Sequence, residues 1–270
     1  MPELPEVETI ANGLQKRVSG DRIESVWLGS KPEPLKSTAA EIARVLEGSR
    51  VERVRRVGKH IVFDLQGNGG AARGQWIVHL GMTGRILVAS ADTEVPKHTH
   101  LVVRLASGRE LRFVDPRRFG RLEVRHSEFS GPGAEPLQIT PEEFARLFHR
   151  RTAPIKALLL NQTLLHGVGN IYADESLFRA GVRPRRRANT LTRDELSRLH
   201  AALREVLQKA IAAGGSSVSD YVDADGEEGF FQLQHRVYGR EGQPCLVCKT
   251  KIKKIIAAGR GTHYCPKCQK

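Results

Sequence analysis

The chain is poor in sulfur and in aromatic side chains, and it has no long apolar run. It contains two methionines, two tryptophans and four tyrosines in 270 residues, and aromatic residues make up 6%. No stretch reaches the ~20 consecutive apolar residues that a bilayer-spanning helix needs, so a helical membrane protein is excluded. A secretory signal segment is also missing, because Glu3, Glu6 and Glu8 stand where such a segment would be hydrophobic. Only four cysteines occur, all within the last 26 residues. A disulfide framework would distribute them along the chain, so the clustering argues for a local metal site in an intracellular protein. Acidic residues are few beside basic ones, 30 against 43, for a formal net charge of +13. A soluble protein this basic commonly meets a polyanion; the alternative is a basic surface with no dedicated partner.

What is present suffices for a folded core. Hydrophobic residues make up 40%, and the length allows one large domain or two smaller ones. The first ~20 residues read as a helix, with Pro2 suited to its first turn, acidic residues at its positive end and Gly20 as its stop. Short alternating segments follow at Arg22–Leu28, Val51–Val57, His60–Leu65, Trp76–Leu80, Arg85–Val88, Leu101–Leu105, Glu110–Val114 and Arg121–Val124. Turn residues such as Gly67-Asn68-Gly69 and Ser107-Gly108 separate them, and one helix, Thr38–Leu46, interrupts the series. The pattern predicts a β-rich first domain, a sandwich or a barrel.

Gly131-Pro132-Gly133-Ala134-Glu135-Pro136 reads as a linker, and beyond it the periodicity turns helical. Thr140-Pro141-Glu142-Glu143 and Thr192-Arg193-Asp194-Glu195 have the capping-box spacing. A short helix is expected over Pro154–Leu160, and another follows His166-Gly167-Val168-Gly169-Asn170 and ends near Gly181. Leu196, Leu199, Leu203, Val206, Leu207 and Ile211 give the helix after Thr192 one apolar face, and Gly214-Gly215 ends it. Ser216–Leu233 is polar and glycine-bearing and reads as a mobile loop.

The cysteines form two pairs, Cys245-Leu246-Val247-Cys248 and Cys265-Pro266-Lys267-Cys268, with 16 residues between them. Two such turns can close a tetrahedron of thiolates around one Zn²⁺. A closed four-thiolate shell leaves no position for water, so the zinc would be structural. A redox dithiol or four unligated thiols are the alternatives. Lys249, Lys251, Lys253, Lys254 and Arg260 make the module basic, as suits a nucleic-acid clamp.

The opening Met1-Pro2-Glu3-Leu4-Pro5-Glu6-Val7-Glu8-Thr9 closely resembles the N-terminus of the formamidopyrimidine-DNA glycosylase family. His79-Leu80-Gly81-Met82-Thr83-Gly84, Asp115-Pro116-Arg117-Arg118-Phe119-Gly120, Gly167-Val168-Gly169-Asn170-Ile171-Tyr172-Ala173, Val237-Tyr238-Gly239-Arg240 and the cysteine module are similar to the same family in the same order. The resemblance implies an α+β chain. A two-layer β-sandwich with flanking helices would be followed by a helix-two-turn-helix domain and a C-terminal zinc-finger β-hairpin. With the composition it places the catalytic sandwich domain at 1–130, a linker at 131–136, the helical domain at 137–234 with a lesion-recognition loop over 216–234, and the finger at 235–270.

The resemblance also implies chemistry. Removal of Met1 would make Pro2 an N-terminal secondary amine, and an α-amino group with a pKa of roughly 8 is partly unprotonated near neutrality. Such an amine can attack C1′ of a deoxyribose. Glu3 matches the general acid/base, Glu6 a second acidic position or a helix-dipole partner, Lys59 the lysine assisting β-elimination, and Arg260 the finger arginine linked to the second elimination. Asn170 matches a phosphate-holding asparagine at a helix start, equally readable as an N-cap. His98, Arg117, Arg151 and Tyr238 match DNA-contact positions, and Lys156 a lysine associated with purine lesions. A glycosylase must take its target base out of the stack and fill the gap; Met82, Arg117 and Phe119 match the insertion set. The long loop and the Leu4-Pro5 pattern favour oxidised purines. The alternatives are a sister enzyme of the endonuclease VIII branch acting on pyrimidine lesions, and a non-catalytic zinc-bearing DNA-binding protein on the same scaffold. Damaged duplex DNA is the implied partner, Zn²⁺ the implied cofactor, a monomer the expected working unit and the bacterial cytoplasm, in association with DNA, the expected location.

Overall fold

The computed structural model describes residues 1–217 and 222–270, and the chain divides into two compact units. One comprises Met1–Ser130 with Gly214–Phe230, the other Gly131–Ala213 with Phe231–Lys270.

The first unit opens with α1 (Leu4–Val18), whose N-cap is Glu3 and whose first turn contains Pro5. Pro2 was expected inside that turn; it lies ahead of the helix, because Glu3 takes the capping position in extended backbone (φ −102°, ψ −170°). Two antiparallel four-stranded sheets follow. One has the order β1-β6-β7-β5, from β1 (Ile23–Leu28), β5 (Arg85–Ser90), β6 (Thr99–Leu105) and β7 (Arg109–Val114). The other has the order β2-β3-β4-β8, from β2 (Arg50–Val57), β3 (His60–Gln66), β4 (Ala72–His79) and β8 (Arg121–Arg125). The β-rich domain is thus a sandwich. Its core holds Ile61, Phe63, Leu65, Trp76 and Val78 from one sheet, Leu101, Val103, Leu111 and Phe113 from the other, and Val7, Ile10 and Leu14 of α1. Each such side chain contributes about 1.5–3 kcal/mol by leaving water, and Phe63 stacks on Trp76 with ring centroids 4.4 Å apart. Helix α2 (Ala39–Leu46) begins at a Thr38–Glu41 capping box and turns Ile42, Val45 and Leu46 into the same core. Strand β4 starts at Ala72, four residues before the expected Trp76, because Ala72, Gly74 and Gln75 carry ladder pairing without an apolar signature.

The second unit is helical. It contains α3 (Pro141–Phe148), α4 (Ile155–Leu159), α5 (Asn170–Ala180) and α6 (Arg193–Ala212), then the hairpin of β9 (Lys253–Ala257) and β10 (Arg260–Tyr264). Both anticipated capping boxes form: Glu143 and Glu195 N–H donate to the Thr140 and Thr192 hydroxyls at 3.2 Å, and their carboxylates accept the threonine N–H groups. Between α4 and α5 the Gln162 side chain donates to Leu160 O and Val168 O and accepts from Gly167 N–H, closing the two turns. Helix α5 is buried on nearly every side, from Tyr172 through Phe178. Among the described residues no helix is long and apolar enough to cross a membrane.

The segment 216–234 departs from expectation. Its central residues 218–221 lie outside the described residues. The sequence predicts a mobile loop of the helical domain here, yet 214–230 packs with the sandwich. Ala224 is 1% exposed in the sandwich core, Val88 N–H donates to Ala224 O at 3.2 Å, and Asp225 pairs with Arg17 of α1. One buried alanine in a polar stretch is a weak sequence signal, which is why composition alone suggested mobility.

Candidate active site and metal centre

In the first unit the chemistry-bearing residues gather at the start of α1. Pro2, Glu3 and Glu6 are all buried. The Glu6 carboxylate uses both oxygens: Oε2 accepts Glu3 N–H and Oε1 accepts Ser216 N–H, each at 2.8 Å. Glu6 therefore fixes the backbone next to Pro2 and ties down the stem of the 214–230 segment. Lys59 sits half-buried in the β2–β3 turn, after Gly58 at φ 60°. The Arg56 guanidinium joins that turn to α1, donating to Gly58 O at 3.2 Å and to Glu8 Oε2 at 2.5 Å. This bracing arginine carried no motif signal beyond the basic run 55–59.

A second cluster in this unit presents the candidate insertion set. Met82 and Phe119 are 44% and 47% exposed, so both apolar side chains are open to a partner. The Arg117 guanidinium lies 4.8 Å from the Phe119 ring centroid. His98 is exposed at φ 65°, a left-handed backbone uncommon outside glycine. Burial and the nearby charges of His60, Lys59 and Arg121 hold the His79 imidazole well down, at about 4. Its Nδ1 accepts Gly81 N–H at 3.2 Å, as a neutral ring can.

In the second unit Asn170 is the first helical residue of α5, and Gly169 is the N-cap. The N-cap alternative for Asn170 is thereby corrected: its side-chain Nδ2 donates to Gly261 O in the hairpin at 2.9 Å. Arg260 begins β10 with an exposed side chain. Tyr238 is half-buried, its N–H donating to Glu175 Oε1 at 2.9 Å and its ring edge-on to His263 at 5.1 Å. Arg151 is exposed, with Nε on Leu147 O at 2.7 Å at the end of α3.

Lys156 stands apart from the lesion-contact role expected of it. Its side chain is 0% exposed, with Nζ 2.7 Å from Asp174 Oδ1 and donating to Thr262 Oγ1 at 2.6 Å. Asp174 Oδ2 accepts His263 N–H at 2.8 Å. Lys156 thus binds α4 to α5 and β10. A partner 18 residues away with a hairpin beyond it leaves no local sequence trace. The neighbouring Glu175, whose pKa burial pushes up, accepts the N–H groups of Arg236, Val237 and Tyr238 at 2.9–3.0 Å. Sequence reasoning missed both carboxylates, although they lie on the helix that the glycine-rich motif announces.

The four cysteine sulfurs all lie within 4.8 Å of one another. Cys245–Cys268 and Cys248–Cys265 are separated by 3.9 and 3.4 Å, near the ~3.8 Å that Zn–S bonds of ~2.3 Å require in a tetrahedron. Hydrogen bonding to Thr250 pulls the Cys248 thiol down to about 6, while burial pushes Cys265 and Cys268 up. Four sulfurs this close cannot all be anionic without a cation among them, and the donor set fits one Zn²⁺. Around it Gln269 is fully buried, accepting Cys265 N–H and donating to Val182 O, which seals the second cysteine turn.

Residues 1–122 match the formamidopyrimidine-DNA glycosylase N-terminal domain, 131–222 its H2TH domain, and 242–270 the zinc finger found in FPG and IleRS. The formamidopyrimidine-DNA glycosylase of Solibacter usitatus is 43% identical over 280 residues, and that of Gluconobacter oxydans 44% over 285, each alignment covering 100% of both chains. Among solved structures, the Thermus thermophilus MutM (FPG) protein superposes with a TM-score of 0.86 at 43% identity, covering 99% of this chain and 98% of that one. A Lactococcus lactis FPG variant in complex with a Fapy-dG containing DNA gives 0.91 at 35% identity, covering 100% of both. Fold, metal site and end-to-end similarity agree, and the chain belongs to the formamidopyrimidine-DNA glycosylase family.

Proposed function

We propose that this glycosylase excises oxidised purines, 8-oxoguanine and formamidopyrimidines, from duplex DNA through its N-terminal proline and then cleaves the strand by β,δ-elimination. With Met1 removed, the Pro2 nitrogen bonds to C1′ as the N-glycosidic bond breaks, its electron pair and a proton going to the departing base. Glu3 protonates the ring oxygen, the C1′–O4′ bond opens, and an iminium remains on Pro2. The iminium withdraws electrons, so a 2′ proton is lost and the 3′ phosphate departs with its C–O bond pair; Lys59 assists. A second elimination, aided by Arg260, releases the 5′ phosphate, and water then returns Pro2 to the amine. His98, Arg117, Arg151, Asn170 and Tyr238 serve as DNA contacts, and Met82, Arg117 and Phe119 fill the gap left by the extruded base.

Support comes above all from the chain start, where Pro2 precedes the helix, Glu3 follows it directly, and the doubly hydrogen-bonded Glu6 fixes the backbone between them. Bound zinc, held by Cys245, Cys248, Cys265 and Cys268, would shape the finger and take no part in the reaction. The enzyme works as a monomer on DNA in the bacterial cytoplasm. Incision of a duplex carrying 8-oxoguanine opposite cytosine should leave phosphates on both sides of a one-nucleoside gap. An intact abasic strand, or a 3′ unsaturated aldehyde as the final product, would contradict the double elimination.

A further inference from the structure

We propose that Asp115 is the positioning residue that locks the two loops of the insertion set into one tip; the inference rests on the wedge role given above to Met82, Arg117 and Phe119. Asp115 ends the β7 side of the turn and is 0% exposed. Its Oδ1 accepts the Thr83 hydroxyl at 2.6 Å and Arg117 N–H at 3.3 Å, and its Oδ2 accepts Gly120 N–H at 2.8 Å. One carboxylate therefore brackets Arg117–Phe119 at both ends and holds the residue next to Met82. Its backbone reaches the third DNA-facing segment: Asp115 N–H donates to His98 O at 3.0 Å, and its carbonyl lies 3.0 Å from His100 Nε2.

The two loops meet backbone to backbone. Gly81 has φ 63°, and a Cβ there would stand 2.5 Å from the Phe119 carbonyl carbon. At Gly120 a Cβ would stand 2.5 Å from the Phe113 ring. At Gly81 and Gly120 no side chain intervenes, and the Asp115 carboxylate is the clamp beside that close approach. Arg118 holds φ 55° in this turn, a conformation that persists only when its surroundings over-determine it.

The physical case follows from the work a wedge does. A wedge that is ordered only on insertion loses conformational entropy at that moment. A tip preassembled by a buried, fully hydrogen-bonded carboxylate has met that cost during folding. Removing the Thr83 hydroxyl takes one short hydrogen bond from the buried Asp115 carboxylate and frees the Met82 loop, while the Met82 side chain itself is unaltered.

The test compares Thr83→Val, Thr83→Ser, Asp115→Asn and the double variant Thr83→Val/Asp115→Asn with Met82→Ala as reference. Single-turnover excision of 8-oxoguanine from a duplex is read beside nicking of a preformed abasic site, where no base need leave the stack, and beside the melting temperature. Thr83→Val should slow excision by about tenfold or more, since small misplacements of site groups carry such costs. Abasic-site nicking should change far less, Thr83→Ser should recover most of the loss, and the double variant should be no worse than the slower single one. Wild-type excision by Thr83→Val beside a slow Met82→Ala would overturn the role of Asp115 and leave the wedge standing. Wild-type excision by Met82→Ala would overturn both. Equal losses on both substrates, with a lowered melting temperature, would make Asp115 a general stabilising residue and overturn the proposal. Should Asp115→Asn fail to fold, the threonine pair decides alone.

Discussion

Glu3 and Glu6 are one helical turn apart and equally hidden from solvent, yet their surroundings separate their roles. Glu6 has each carboxylate oxygen on a backbone N–H, so it acts on architecture. Glu3, at the cap and adjacent to Pro2, is the acid/base in the proposed reaction. Glu3→Gln should therefore bind lesion duplex within a few-fold of wild type while excising it at least ~10²-fold more slowly; single-turnover rates beside titrations check this, and strong residual excision would remove Glu3 from that role. His79 supplies a pH prediction. Its folded pKa of about 4 lies below the ordinary 6.5, so between those values the unfolded chain holds the extra proton. Stability from this group is present above pH 6.5 and falls as the pH drops toward 4. His79→Asn, which keeps an acceptor for Gly81 N–H, should flatten the decline of melting temperature across that window. An unchanged profile would mean that another group governs it.

At the scale of elements, α5 organises the second unit through Asp174 and Glu175, one reaching Lys156 and the finger hairpin, the other the backbone of 236–238. A buried ion pair need not stabilise a fold, but breaking one partner is expensive. Lys156→Met should cost about 3–5 kcal/mol, whereas Lys156→Met with Asp174→Leu should cost clearly less; denaturant melts of both variants beside wild type check this. Capping boxes, strand alternation and the apolar face of α6 were legible in the sequence because each is written within one turn or one strand. The Lys156–Asp174 pair and the anchoring of Ala224 were not, because both depend on partners far along the chain. The start of α1 is settled in the same way: two prolines and three glutamates compete for the first turn, and Pro2 falls ahead of the Glu3 cap rather than inside the turn.

At the scale of the whole molecule, the excess of basic residues and the cysteine module point to DNA, and the cysteine spacing marked the zinc site before any geometry was known. Four sulfurs within 4.8 Å make the finger dependent on its ion. Strong chelation should release one equivalent of Zn²⁺, disorder β9–β10 and abolish incision, while the β-sandwich, with its separate core, keeps its circular dichroism; retained incision without zinc would contradict a structural metal. The candidate active-site residues came from ordered motifs spread through the chain, and the clamps behind them, Arg56, Asp115 and Asp174, became visible only in three dimensions. The account turns on the Pro2 nitrogen. Borohydride added during turnover of a duplex with 8-oxoguanine opposite cytosine should give a covalent protein–DNA adduct whose digest carries the reduced sugar on the peptide beginning at Pro2. An adduct on Lys59 or any other side chain, or active nicking with no adduct, would contradict it.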